Sequence, residues 1–268
     1  MTEADTEAVT RAPLFTARTP RVVAARKLQR RRDREVARRF LVEGPQAVRE
    51  AEAIVELFGT PEALDRYPEL AARAERVSPV DEDALAALAE TVNPQGLVAV
   101  CDFVDVPLPV ALAREPRLVA VLAGIRDPGN AGTVLRTADA AGAGTVIFAG
   151  EAVDPYNGKS VRASAGSLFH VRVVRGVDPA QTVDALRAGG LRVLAADAYG
   201  SVDLDGLDGL AEPTAWLFGS EAHGLPAELA DAADARVRVP IYGRAESLNL
   251  AAAAAVCLYA SARSQRSP

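Results

Sequence analysis

The sequence predicts an α/β protein in two parts, a smaller α/β domain followed by a larger one built on a parallel sheet flanked by helices. Three observations carry this. Short runs rich in Val, Leu and Ile alternate with helical segments along most of the 268 residues, and such alternation specifies strands joined by crossover helices. A proline-rich stretch with Pro107, Pro109 and Pro116 interrupts the alternation; proline fixes φ and removes a backbone donor, so it marks a boundary. The length itself suits one or two domains at roughly 150 residues each.

Residues 1–20 show no apolar periodicity and contain Pro13 and Pro20, which predicts a disordered tail. Val22–Arg32 reads as a helix with a basic face. Arg39–Val42 is a strand closed by Gly44-Pro45, followed by a helix over Gln46–Ala53 and a second strand, Ile54–Phe58, ended by Gly59-Thr60-Pro61. Helices over Pro68–Glu75 and Asp81–Glu90 bracket a strand at Val77–Val80, and Leu97–Val104 supplies the fourth strand. The first domain is thus expected at 21–105 and the linker at 106–116.

The second domain, 117–268, restarts with Arg117–Ala123, whose unbroken apolar character suits a strand buried on both faces. A helix over Ala131–Ala141 and strand Thr145–Ala149 follow. Further strands are expected at Phe169–Val174, Leu191–Ala196, Ala215–Phe218 and Arg236–Ile241, with helices at Pro179–Ala188 and Ser247–Ala262.

Composition excludes several classes. A charged fraction of 25% argues against wholesale disorder. No apolar run approaches the roughly 20 residues of a membrane helix, and the acidic opening MTEADTEAV lacks a signal-peptide layout. A cytoplasmic protein without membrane contact is expected. Only Cys101, Cys257, His170 and His223 offer a thiol or an imidazole, so neither a disulfide framework nor a metal site is expected.

The net charge of −6 conceals a segregation. From Arg11 to Arg39, eleven Lys or Arg residues meet only Asp33 and Glu35. A basic arm on an acidic body suggests nucleic-acid contact, with Arg30, Arg31, Arg32, Arg38 and Arg39 as candidates; a solvated helical face accounts for the charge equally well.

The glycine-rich stretch from Gly124 to Gly132 follows a strand and opens a helix, where nucleotide-binding folds place a phosphate turn. Its spacing does not fit G-x-G-x-x-G, and no acidic residue ends the next strand. Gly158-Lys159-Ser160 resembles the end of a phosphate-binding loop but lacks the upstream glycine.

Three other blocks are more informative. Asp127-Pro-Gly-Asn130 leads to Arg136, and Asn130 is placed to cap the helix that carries this arginine nearly two turns on. Leu217-Phe218-Gly219-Ser220-Glu221 runs from a strand into a glycine-punctuated turn ending at Gly224. Val239-Pro240-Ile241 leads through Glu246-Ser247-Leu248-Asn249-Leu250 into the last helix. Each alone is compatible with ordinary turn chemistry. Together, in this order, and with Val161–Gly166 between them, they resemble the signature motifs of the SpoU (TrmH-like) branch of the SPOUT methyltransferases, over roughly Leu118 to Ala262. More weakly, Arg39–Gly44 with Ala47-Val48 and Glu50-Ala51 resembles that family's N-terminal substrate-binding domain, of ribosomal-protein-L30e-like fold, especially in actinobacterial rRNA enzymes.

The resemblance implies a deep trefoil knot in the second domain and S-adenosylmethionine (AdoMet) held in a bent form by backbone groups of the knotted loops. Gly219, Ile241 and Leu250 match the cofactor-contacting positions, with Phe218, Leu248 and Ala196 as neighbours. The implied reaction is methyl transfer to a ribose 2′-hydroxyl, with Arg136 as activator, gripping a phosphate and polarising the hydroxyl or acting as a base. Asn130 and Asn249 would orient Arg136 and the ribose, Ser247 would bond near the target phosphate, and Glu221 would hold backbone amides; loop capping is the alternative for Glu221 and Ser247. The resemblance also implies a homodimer, with the alanine-rich last helix as the close-packing surface. The N-terminal domain favours 23S rRNA as substrate. A tRNA 2′-O-methyltransferase and a non-catalytic RNA-binding or ribosome-assembly factor are the alternatives.

Overall fold

The structure, a computed structural model, describes residues 13–266; Arg11 and the first part of the expected tail lie outside the described residues. Its contacts divide the chain into two compact units, residues 13–49 with 53–102 and residues 50–52 with 103–266.

The first unit begins with two short helices, α1 (Pro20–Lys27) and α2 (Arg31–Ala37), where one helix over Val22–Arg32 was expected. The break has a physical cause. Arg34 is only 2% exposed, and its guanidinium donates to the carbonyls of Leu28 and Gln29, each at 2.9 Å. These are carbonyls left open where α1 ends, and Arg30 between the helices is extended. Val22, Ala25 and Leu28 bury the inner face of this stretch against Leu85 and Leu88. The described part of the expected tail is also ordered: Phe15 accepts from Asp81 N and donates to Pro79 O, running alongside the third strand.

There follow β1 (Arg39–Glu43), α3 (Pro45–Glu50), β2 (Glu56–Gly59), α4 (Pro61–Arg66), α5 (Pro68–Arg73), β3 (Val77–Pro79), α6 (Glu82–Leu88) and β4 (Leu97–Asp102). The strands form a mixed sheet in the order β1-β4-β2-β3, with β4 antiparallel to both neighbours. Helix α4 was not expected; Pro61 opens it and the Thr60 hydroxyl caps it by accepting from Ala63 N at 3.3 Å.

The second unit starts earlier than the sequence suggested. Residues 106–116, expected as a linker, carry α7 (Leu108–Leu112), and Val106, Leu108 and Leu112 pack on the core of this unit. Just before them, Phe103 stacks on Tyr156 at 3.9 Å, and the Tyr156 hydroxyl accepts from Val104 N and Asp105 N. Prolines here end pairing without freeing the chain.

The remaining elements are β5 (Leu118–Ala123), α8 (Pro128–Ala141), β6 (Thr145–Ala149), α9 (Gly158–Ser164), β7 (Arg172–Val177), α10 (Pro179–Ala188), β8 (Arg192–Ala196), β9 (Val202–Asp203), β10 (Thr214–Phe218), α11 (Ala227–Asp231), β11 (Ala235–Arg238) and α12 (Leu250–Arg266). Strand β7 begins at Arg172 rather than Phe169, because Ser167–Phe169 forms a 3₁₀ turn. The sheet is parallel, in the order β7-β6-β5-β10-β8-β11-β9.

Strand β10 lies between β5 and β8, so the strand order reverses there, and the registers Phe218↔Ala196 and Val237↔Ala196 bring the ends of three strands level. Ligands of open α/β sheets bind beyond the carboxyl ends of strands at such reversals. Helix α12 starts at Leu250, three residues later than expected. It packs Ala251, Ala254, Cys257 and Leu258 inward, and its Ser261 hydroxyl accepts from the buried Trp216 indole N–H at 2.9 Å. An unmade bond at a buried donor of this kind costs about 1–3 kcal/mol. Burial pushes both free thiols, Cys101 and Cys257, up to about 12.

Candidate active site

The site assembles on the first turn of α8. Asp127, not Asn130 as the sequence suggested, caps this helix: its carboxylate accepts from Gly129 N and Asn130 N, each at 3.2 Å. With Pro128 at the first helical position, Asp127 falls where a cap belongs, a signal the sequence already carried. Asn130 is thereby released for a different task. Its amide nitrogen donates to Glu221 at 3.0 Å, and its amide oxygen accepts from Asn249 Nδ2 at 3.2 Å. Asn249 Oδ1 caps α12 in turn, accepting from Ala251 N and Ala252 N. One hydrogen-bonded string, Asn249–Asn130–Glu221, ties the loops after β10 and β11 to the start of α8.

Glu221 also accepts from the backbone N–H groups of Arg126 and Asp127, each at 3.4 Å. Partial desolvation raises its pKa, but the bonds from Asn130, from its own backbone and from Arg126 and Asp127 together outweigh this and hold the carboxyl below its ordinary value. Asp127 is lowered as well, chiefly by a 2.6 Å bond from the Lys159 ammonium.

Beside this string lies a cavity of about 950 Å³ at the ends of β8, β10 and β11. All six positions expected to hold a cofactor line it: Ala196, Phe218, Gly219, Ile241, Leu248 and Leu250. Glu221, Ser247 and Asn249 line it too. The turn after β10 is closed by reciprocal backbone bonds between Ser220 and Gly224. It needs glycine at 219, because a Cβ there would stand 2.1 Å from the Gly224 carbonyl carbon and 2.2 Å from Leu225 N. The result is a cradle of bare backbone with an apolar wall of Phe218, Ile241 and Leu250. Its size and mixed lining suit a small organic cofactor with an apolar ring and polar ends.

The structure does not bring every expected residue into contact. Arg136 is exposed on α8, seven residues beyond Gly129 and so roughly 10 Å further along the axis. Among the described residues it has no ion-pair partner. Ser247 lies exposed in the loop before α12, without a hydrogen bond among the described residues. Arg30, Arg31, Arg32, Arg38 and Arg39 are all exposed in the first unit, where Arg39 pairs with Asp102 at 2.9 Å. The arginine run therefore splits into outward cations and the inward, structural Arg34.

Sequence reasoning missed three long-range polar contacts, two of them made by the cavity-lining Arg236 and Arg238. Arg236 clasps Asp197, Arg238 clasps Asp203, and the Tyr242 hydroxyl donates to Asp205 at 2.7 Å. Each joins residues at least 35 apart in sequence, so no local pattern announces them. Among the described residues there is no cluster of His, Cys, Asp and Glu able to hold a metal ion, and no helix is long and apolar enough to cross a membrane.

A parallel sheet with a cavity at its reversed strand ends, preceded by a separate α/β unit, defines an α/β protein that binds a ligand beyond the strand ends; similarity to known proteins says of which family. Residues 117–259 match the SpoU rRNA Methylase family and residues 19–99 match the MRM3-like substrate binding domain. The chain belongs to the SpoU rRNA methylase family. It is 36% identical over 251 residues to the 23S rRNA (guanosine(2553)-2′-O)-methyltransferase of Bacillus subtilis, spanning 91% of this chain and 96% of that protein. To the 23S rRNA (guanosine-2′-O-)-methyltransferase of Bordetella pertussis it is 31% identical, over 83% of this chain and 91% of that one. Among solved structures, the AdoMet-bound rRNA methyltransferase from Sinorhizobium meliloti superposes with a TM-score of 0.83 at 34% identity, covering 95% of this chain and 99% of that chain. The SpoU methyltransferase AviRb from Streptomyces viridochromogenes, in complex with AdoMet, gives 0.81 at 33% identity, covering 92% and 98%.

Proposed function

We propose that the protein transfers a methyl group from AdoMet to a ribose 2′-hydroxyl of 23S rRNA. The observation that carries this reading is the string Asn249–Asn130–Glu221 beside the Gly219 cavity, on the helix that also presents Arg136. Relatives matched over both halves of the chain are named 23S rRNA 2′-O-methyltransferases, and two similar structures hold AdoMet.

AdoMet supplies an electrophilic methyl group on a sulfonium. In this reading the backbone around Gly219 and the side chains of Ala196, Phe218, Ile241, Leu248 and Leu250 hold it. A 2′-hydroxyl is a poor nucleophile until its proton is drawn away; beside the exposed Arg136 that proton passes to solvent water as the methyl group leaves the sulfonium for the ribose oxygen. Arg136 presents a planar fork of donors, so it grips the phosphate beside the target and polarises the hydroxyl. Asn130 and Asn249 align that group and the ribose, and Ser247 bonds the substrate from the loop. Glu221, whose oxygens are engaged by Asn130 and two backbone amides, holds the turn and is a weak base.

The first unit is the RNA-binding domain in this reading, and the second the catalytic domain. Strand β10 lying between β5 and β8 supports a trefoil path through the loops that follow. Ala252, Val256 and Tyr259 form an exposed apolar stripe at helical spacing on α12, which supports a homodimer packed through that helix. The protein acts in the cytoplasm, on ribosomal RNA rather than tRNA.

Incubation of the purified protein with AdoMet and unmodified 23S rRNA, followed by mapping of 2′-O-methyl groups, is expected to give a discrete mark. Methylation confined to tRNA refutes the substrate, and no methylation of either RNA refutes the reaction.

The basic surface is tested by substitution. Removing the arm would strip Val22, Ala25 and Leu28 from the core. Changing Arg30, Arg31 and Arg32 to Ser should instead weaken RNA binding at low salt. It should also flatten the dependence of log K on log salt by about 0.7–0.9 for each phosphate no longer neutralised, with AdoMet affinity unchanged. An unaltered salt slope, measured by filter binding, identifies these arginines as a solvated face.

A further inference from the structure

We infer that Lys159 is a positioning residue of the methyl-transfer site, acting through Asp127; the inference rests on the reaction proposed above. Lys159 belongs to a motif that matches no phosphate loop and that the proposed reaction leaves unused.

Asp127 is the pivot of the site. Its carboxylate caps α8 through Gly129 N and Asn130 N, while its own N–H, with that of Arg126, donates to Glu221. Two carboxylates, Asp127 and Glu221, therefore bind the backbone where α8 begins. The positive end of the helix dipole and a cation favour negative charge there. That cation is Lys159, whose Nζ lies 2.6 Å from Asp127 Oδ1; among the described residues it is the one cation paired with Asp127.

The placement of Lys159 is built into the packing. Its backbone N–H is held by the Asn157 side chain at 3.0 Å at the start of α9. Helices α8 and α9 touch through Gly132, where a Cβ would stand 2.2 Å from the Ser160 carbonyl oxygen. That contact sets the height of α9, and the lysine stem then crosses the first turn of α8, its Cε 2.9 Å from where a Cβ on Gly129 would be. Lys159 thus reaches Asp127 across Gly129, in the turn that presents Asn130. Removing its charge loosens the Asp127 carboxylate on the Gly129 and Asn130 amides and so shifts the Asn130 side-chain amide, which both Glu221 and Asn249 use.

The test is a kinetic and spectroscopic comparison of Lys159→Met, Lys159→Arg, Asp127→Asn and the double variant, using the full-length protein and unmodified 23S rRNA. Asparagine caps helices about as well as aspartate, so Asp127→Asn removes the charge pair and keeps one of the two capping oxygens. Lys159→Met is expected to lower kcat by about tenfold to 100-fold, the scale of a misplaced reacting group. The KM for rRNA and the Kd for AdoMet should stay within about twofold, and Lys159→Arg should recover most of the loss. The double variant should be no slower than the slower single variant, as for groups acting as one unit. An unchanged kcat overturns the inference. So does a rise in the rRNA KM alone, which makes Lys159 a substrate contact, or a joint fall of AdoMet affinity and melting temperature. Side-chain amide resonances of Asn130 and Asn249 provide a readout independent of turnover. They should shift in Lys159→Met even if the wild-type protein methylates no rRNA, and unmoved resonances overturn the inference.

Discussion

Gly219→Ala is expected to abolish measurable AdoMet binding in calorimetry and to lower the urea unfolding midpoint. The added methyl carbon would stand 2.1 Å from the Gly224 carbonyl carbon and 2.2 Å from Leu225 N. Both are backbone atoms of a turn closed by reciprocal Ser220–Gly224 bonds, so no side chain can swing aside. The turn must open, at a cost of about 1–3 kcal/mol typical of forced overpacking. Opening it also moves Glu221, the cavity wall and the hydrogen bond that Glu221 accepts from Asn130. Gly224→Ala is the matched control. Gly224 has φ of +69° and open space at its Cβ position, so alanine there meets only the left-handed backbone penalty of about 1–2 kcal/mol. It should keep AdoMet binding. Wild-type affinity in Gly219→Ala would remove the cradle from the cofactor site.

Arg136→Lys should lower kcat by about 100-fold to 1000-fold, the usual cost of losing a donor aimed at developing negative charge, with AdoMet affinity unchanged. Arg136 is exposed and lysine has nearly the same helix propensity as arginine, so the fold should not register the change. What lysine lacks is the planar fork that holds a phosphate with two parallel bonds while still facing the hydroxyl. Arg136→Ala should be at least as slow. Near-normal turnover in Arg136→Lys would mean that charge alone suffices and that the fork has no part in activation.

Both predictions concern residues that stand out in the sequence because their blocks resemble the SpoU family motifs. The parallel sheet was legible for a local reason: unbroken apolar runs such as Leu118–Ala123 and Thr145–Ala149 need cover on both faces, whatever lies next to them. Local signals also misled. Asn130 looks like a cap because Ser, Thr, Asp and Asn are all good caps, yet Asp127 occupies that place and frees Asn130 for Glu221. The arginine run looks uniform, but Arg34 turns inward to close carbonyls that α1 leaves open. Prolines near 107–116 read as a linker, since proline reports only a missing donor and a fixed φ; whether the segment then packs depends on the apolar faces it meets.

The sequence by itself determined the two α/β halves and the parallel sheet of the second, which follow from period, turn residues and composition within a few residues of each position. The groups that face the cavity were named through the resemblance of their blocks to the SpoU family motifs. Tertiary structure alone decided that β10 sits between β5 and β8, that Asn249, Asn130 and Glu221 share one string, and that Lys159 reaches Asp127 across 32 residues. Strand order and side-chain pairing are set by packing between distant segments, here by the close approach that Gly132 allows between α8 and α9, and no local spacing encodes that distance.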